Sequence, residues 1–223
     1  MKLTEKNEAI KLRKGGKSYG YILKKIDVSK STLSLWLRDI ELTESQKSIL
    51  LKGREISRYA AAKKKQQQRI EKTIKIISEA RKEFEKLHNN PLFLSGLMLY
   101  WAEGDKSDLH EQVKFTNSDQ NMINLIMRWF REICEVPEKK FRVTLHIHSL
   151  HCRPKIENYW SNITGIPLSQ FYKTQIKPTT LRYRRNPLYD GTCAVSISSK
   201  DFFRKIKGLI IAAIEKMTKN YSL

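Results

Sequence analysis

Residues 141–148 read FRVTLHIH, and their alternation decides the class of fold. Val143, Leu145 and Ile147 fall at every second position, with Arg142, Thr144, His146 and His148 between them. A period of two places the apolar set on one side of a strand and the polar set on the other. No helix gathers either set on one face. The same signature recurs in VKF at 113–115, FYKTQIK at 171–177 and TCAVSIS at 192–198. Lys114 is bracketed by Val113 and Phe115; Lys173, Gln175 and Lys177 align; Val195 and Ile197 oppose Ser196 and Ser198. Strands are thus predicted over Val113–Thr116, Phe141–His148, Phe171–Lys177 and Thr192–Ser198, in a sheet with one apolar face and one polar, basic face.

Helical patterns separate these strands, over Asp119–Cys134, Lys155–Thr164 and Lys200–Met217. In the first of them Met122, Ile123, Ile126, Met127, Trp129 and Phe130 supply core. Residues 1–90 differ in texture: they hold no proline and almost uninterrupted helical periodicity. Asn89-Asn90-Pro91 marks the change, because the residue before proline avoids helical angles. The fold class expected is α+β, with an all-α part ahead of a mixed domain. Three short helices are expected up to about Asp39, then one from about Thr43 to Lys52. Gly53 is read as an interruption, and a long helix as following to about His88. There Ile70, Ile74, Ile77 and Phe84 suggest either a short coiled coil or a stripe laid on the same chain. The second is preferred, as fewer than three clean heptads are present. KKKQQQR at 63–69 reads as a solvated spacer. The expected divisions are 1–42, a helical linker over 43–90, and 91–223.

The balance of 43 Lys+Arg against 23 Asp+Glu gives a formal charge of +20. Residues 1–90 carry 23 basic and 11 acidic side chains, and 91–223 carry 20 and 12, so both parts are positive, at +12 and +8. Such a field attracts polyanions. No apolar run nears the ~20 residues of a membrane span, and MKLTEKNEAI has no apolar signal-peptide core. Three cysteines, Cys134, Cys152 and Cys193, are too scattered for a disulfide framework. The expected setting is the cytoplasm, on the nucleoid, with double-stranded DNA as partner and no membrane.

KSYGYILKKIDVSKSTLSLWLRDI, residues 17–40, spaces Ile22, Leu23, Ile26, Val28, Leu33, Trp36 and Leu37 as two short helices crossing over a tight turn. Ser18 and Ser29 are candidate caps. Over residues 4–40 this resembles the helix-turn-helix of resolvases, transposases and small repressors. The resemblance implies that Ser29, Lys30, Ser31, Thr32 and Ser34 face DNA while Lys24, Lys25 and Arg38 hold phosphates. The rival is a helical hairpin in a bundle that binds no DNA.

LSGLMLYWAEGDKS, residues 94–107, is apolar for nearly three turns and then carries Glu103 and Asp105 around Gly104. A carboxylate is disfavoured at the negative end of a helix, so a compensating cation is expected. Ala102-Glu103-Gly104 before a mixed domain resembles the LAGLIDADG homing endonucleases. That likeness implies a saddle-shaped sheet on DNA, pairing of two motif helices in a homodimer, and Glu103 as ligand to Mg²⁺ beside the scissile phosphate. Lys114 and Lys173 are the basic residues singled out near such a site. Arg142, Thr144, His146, His148, Gln175 and Lys177 on the strands, with Arg182, Arg184 and Arg185 in RYRRNP, are the expected DNA contacts. HIHSLHC at 146–152 lacks paired metal-ligand spacing, so zinc is not expected. Tyr100, Trp101 and Trp160 read as core rather than stacking platforms. Two functions follow: a site-specific homing-type endonuclease using a divalent metal, or a non-catalytic helix-turn-helix transcription regulator with a degenerate LAGLIDADG domain.

Overall fold

The computed structural model describes residues 2–178 and 190–218. The chain is α+β and divides into two compact units, 1–70 and 71–223. Because that division falls inside one helix, the final turns of the expected linker belong to the second unit.

In the first unit, α1 (Leu3–Lys14), α2 (Tyr19–Leu23) and α3 (Lys30–Leu37) close on Ala9, Ile22, Ile26, Leu33 and Leu37. Ser18 caps α2 by accepting from the Tyr21 amide at 3.1 Å, and Ser29 caps α3 by accepting from the Thr32 amide at 3.1 Å. Helix α4 (Glu44–Leu87) opens on a reciprocal capping box, the Thr43 amide donating to Gln46 Oε1 and the Gln46 amide to Thr43 Oγ1. It then runs through Gly53 without a break, contrary to the expected interruption. One glycine costs a helix ~1 kcal/mol, which the Ala, Lys, Gln and Arg residues downstream outweigh. Residues 51–70 are exposed throughout, so this stretch rests on helix propensity rather than packing.

The second unit begins where α4 becomes amphipathic. Ala80 and Phe84 enter its core, whereas Ile70 and Ile74 are 44% and 63% exposed. The stripe laid on the same chain therefore starts one to two turns later than the isoleucine spacing suggested. Ion pairs from Lys72 to Asp201, Arg81 to Glu215 and Lys216 to Glu85 flank it. Next come α5 (Pro91–Glu103), β1 (Val113–Asn117), α6 (Gln120–Arg128), β2 (Phe141–His148), α7 (Arg153–Thr164), β3 (Gln175–Lys177), β4 (Thr192–Ile197) and α8 (Lys200–Thr218). The sheet order is β1-β4-β2-β3, antiparallel except where α7 crosses over between the parallel β2 and β3.

Registers carry the alternation across the sheet. Val113 and Phe141 flank Ile197, Phe115 and Val143 flank Val195, and Leu145 faces Cys193, all buried. The side chains of α4 to α8 join these residues in one apolar cluster. Helices thus cover the apolar face of the sheet, while on the polar face Ala194 and Ser196 of the central strand are buried and Lys114, Arg142, Thr144 and His146 are half-buried.

Two predicted elements are modified. The helix expected to Cys134 loosens at Trp129–Ile133 into a π-helical turn, and the strand expected from Phe171 pairs only at Gln175–Lys177, beyond a lone bridge from Phe171 to Val143. In the second, Thr174 is buried at 4% exposure with its hydroxyl donating to Glu157 Oε1, but Tyr172 and Ile176, which the alternation would bury beside it, are each 55% exposed.

Candidate nucleic-acid interface

Leu33 and Leu37, facing the core, fix the orientation of α3, so Lys30, Ser31, Ser34, Leu35 and Arg38 stand exposed on its outer side. The hydroxyls divide into two groups. Ser29 Oγ takes the Thr32 amide and also lies 2.8 Å from both Ser31 Oγ and Thr32 Oγ1. Ser29, Ser31 and Thr32 are therefore committed to holding the helix start, a narrower role than the base contact expected of them. Ser34 and Lys30 carry no such commitment among the described residues. Lys24 and Lys25 are exposed, and Arg38 makes only a loose, exposed 3.6 Å pair with Asp39. Leu35, 65% exposed, was passed over in the sequence because an apolar residue in an apolar-rich helix reads as core.

The polar face of the sheet is set by the same registers as the core. Lys114, Ser196 and Arg142 form one row; Thr116, Ala194 and Thr144 the next; Thr192, His146 and Gln175 a third; and His148 lies opposite Lys177. Neighbouring strands are ~4.8 Å apart, so Lys114 and Arg142 sit ~10 Å from each other. No acidic side chain stands in these rows. Burial holds the His146 imidazole below its usual pKa, and the Lys177 and Lys114 ammonium groups push the same way. His146 is thus neutral near pH 7 in a field that awaits negative charge. Arg142 Nη1 is drawn back onto the carbonyls of Lys139 and Phe141, at 2.8 and 2.7 Å.

His148 departs from the expected exposed contact, being 5% exposed. The chain turns immediately after it, the His148 amide donates to His151 Nδ1 at 3.0 Å, and the two rings stack at 5.9 Å. His151 thereby serves a turn, and Cys152 stands at the start of α7. Among the described residues no three of His, Cys, Asp and Glu gather as a metal set. Lys173 and Lys177 are exposed, whereas Arg182, Arg184 and Arg185 lie outside the described residues.

The end of α5 finds its cation within the chain. Lys106 Nζ donates to the carbonyls of Trp101 and Ala102, at 2.8 and 3.3 Å, and so offsets the helix end without a metal. Gly104 is extended, at φ −73° and ψ 155°, not left-handed. Its role is steric: a Cβ there would stand 2.5 Å from the Tyr100 carbonyl oxygen. Asp105 donates its amide to the Lys114 carbonyl at 2.8 Å and accepts the Ser107 amide. Glu103 is exposed and makes no hydrogen bond or ion pair with another described residue. One free carboxylate falls short of a metal site by itself.

Packing also explains the small residues of the motif. A Cβ on Gly96 would stand 2.1 Å from Trp129 Cγ, so the glycine makes room for this chain's own tryptophan rather than for a second motif helix. Tyr100 and Trp160 are core, at 1% and 0% exposure, while Trp101 is 40% exposed. Beyond it, the loop to β1 is clamped by a buried bidentate pair between Arg204 and Glu111, at 2.9 and 3.1 Å.

Comparison with known proteins finds no family model, no curated protein and no solved structure that matches this chain. No helix among the described residues is long and apolar enough to cross a membrane.

Proposed function

We propose that this protein binds double-stranded DNA site-selectively, through α3 in the first unit and the polar sheet face in the second. The observation that carries the reading is the outer side of α3. Lys30, Arg38 and the uncommitted hydroxyl of Ser34 stand exposed on a helix that buries Leu33 and Leu37, with Lys24 and Lys25 at the preceding turn. A helix so placed can enter the major groove, where lysine favours guanine and serine bonds either donors or acceptors. The sheet face adds phosphate contacts that position without reading sequence.

The test is selection of a bound duplex from random DNA by the full chain, with measurement of its affinity. Lys30→Ala with Ser34→Ala should lower discrimination between the selected and scrambled duplexes by about tenfold or more, each lost base contact being worth ~1–3 kcal/mol. Lys114→Ala with Lys177→Ala should weaken both duplexes alike. Equal binding of selected and scrambled DNA by the unmodified protein would end the proposal.

A second reading, Mg²⁺-dependent scission of the bound site by a LAGLIDADG-like homodimer, is favoured by one observation, the uncommitted carboxylate of Glu103. Among the described residues Glu103 gathers with no set of metal-binding side chains, so DNA phosphate and a second copy would have to complete the coordination. Incubating the selected duplex with Mg²⁺ or Mn²⁺ decides between the readings. A nuclease nicks or cuts it, and Glu103→Gln loses cutting while keeping affinity. A regulator leaves the duplex whole with every metal, and Glu103→Gln changes little.

A further inference from the structure

We propose that Leu35 sets base preference by packing on the 5-methyl group of a thymine in the major groove. This rests on the DNA-binding reading of α3 and names what that helix reads.

The geometry comes from the buried side. Leu33 and Leu37 are 0% and 1% exposed and define the inward direction of α3. At about 100° per residue, the direction opposite their mean falls on Leu35. The residue that projects farthest from the core is therefore a leucine, 65% exposed. Single exposed leucines are common, so exposure alone decides nothing; the position at the apex does.

Its neighbours identify the partner. One helical turn from Leu35 lie Ser31 and Thr32 on one side and Arg38 and Asp39 on the other, the last two paired at 3.6 Å. A protein partner would meet a contiguous apolar patch there, whereas the neighbours of this leucine are two hydroxyls and an ion pair. Such a setting suits a surface of phosphates and base edges holding one apolar feature, and in the major groove that feature is the thymine methyl. Against a G·C edge the isobutyl group would strip water from donors and acceptors and return no hydrogen bond. Leu35 thus favours T·A by attraction and disfavours G·C by desolvation.

The experiment uses the full chain and its selected duplex, with each thymine replaced in turn by deoxyuridine. That replacement removes one methyl and keeps base pairing. At one thymine, affinity should fall about three- to fivefold, the worth of one buried methyl group. Leu35→Ala should bind the thymine and uracil duplexes equally. It should remain folded by circular dichroism, since the side chain supports no packing. A selected site indifferent to every methyl, or a methyl effect that survives in Leu35→Ala, would overturn the assignment and leave DNA binding standing. Enrichment of no sequence at all would remove both. A dimer in sedimentation that Leu35→Ala dissociates would give the leucine to a protein interface and also overturn the assignment.

Discussion

Gly96 and Gly104 flank the apolar run that suggested a nuclease motif, and each is fixed by a clash rather than by a special backbone angle. Gly96→Ala should lower stability by about 3 kcal/mol, because the Trp129 indole has nowhere to move in a close-packed core. Urea unfolding checks this, and an unchanged midpoint would place Trp129 elsewhere. His146 gives a pH signature. Its folded pKa lies below the ordinary value near 6.5, from burial first and then from Lys177 and Lys114. The unfolded chain takes up the proton first as pH falls. The contribution of His146 to stability is therefore intact above about pH 6.5 and lost as pH drops through the folded pKa. His146→Gln should flatten that slope in denaturation measured between neutral and mildly acidic pH. These residues also mark where sequence stopped informing. The alternation of FRVTLHIH placed His146 correctly, but nothing local announced that His151 would fold back on His148, or that Trp129 would claim the space at Gly96.

Elements with a strong period were legible to within a residue or two. Strand β2 spans the residues expected of it, and α3 and α8 begin at or near their expected starts. Exceptions arose where burial departed from the alternation, as at Tyr172 and Ile176, or where propensity outweighed a breaker, as at Gly53. A Cβ on Gly53 meets no atom within 4 Å. Gly53→Ala should raise helicity and stabilise α4 by about 1 kcal/mol, read by circular dichroism through thermal unfolding. A loss of stability would mean that the glycine serves a packing purpose. The loop between α5 and β1 depends on long-range charge. Arg204 and Glu111 have side chains only 8% and 11% exposed. Removing Glu111 leaves the buried Arg204 with a longer, 3.6 Å pair to Asp201, so Glu111→Ala should cost about 3 kcal/mol in urea unfolding. Its backbone φ is 45°, a left-handed angle uncommon outside glycine. In the sequence Glu111 was one acid among many, 93 positions from its partner.

Across the whole molecule, the α+β class and the uneven placement of basic charge follow from composition and periodicity. The division inside α4 did not, because only contacts with α8 show where its last turns belong. Positive charge is present in both units, at Lys24, Lys25 and Arg38 in the first and at Lys114 and Lys177 in the second. Neutralising a DNA phosphate releases counterions, with a slope of roughly −0.9 per contact when log affinity is plotted against log salt. The decisive measurement is the affinity of the full chain for its selected duplex across a salt titration. Five phosphate contacts predict a straight line with slope of about −4.5, made shallower in Lys24→Ala with Lys25→Ala. Affinity that stays level from dilute buffer to near-molar salt, or no affinity at any salt, would contradict a role in binding DNA.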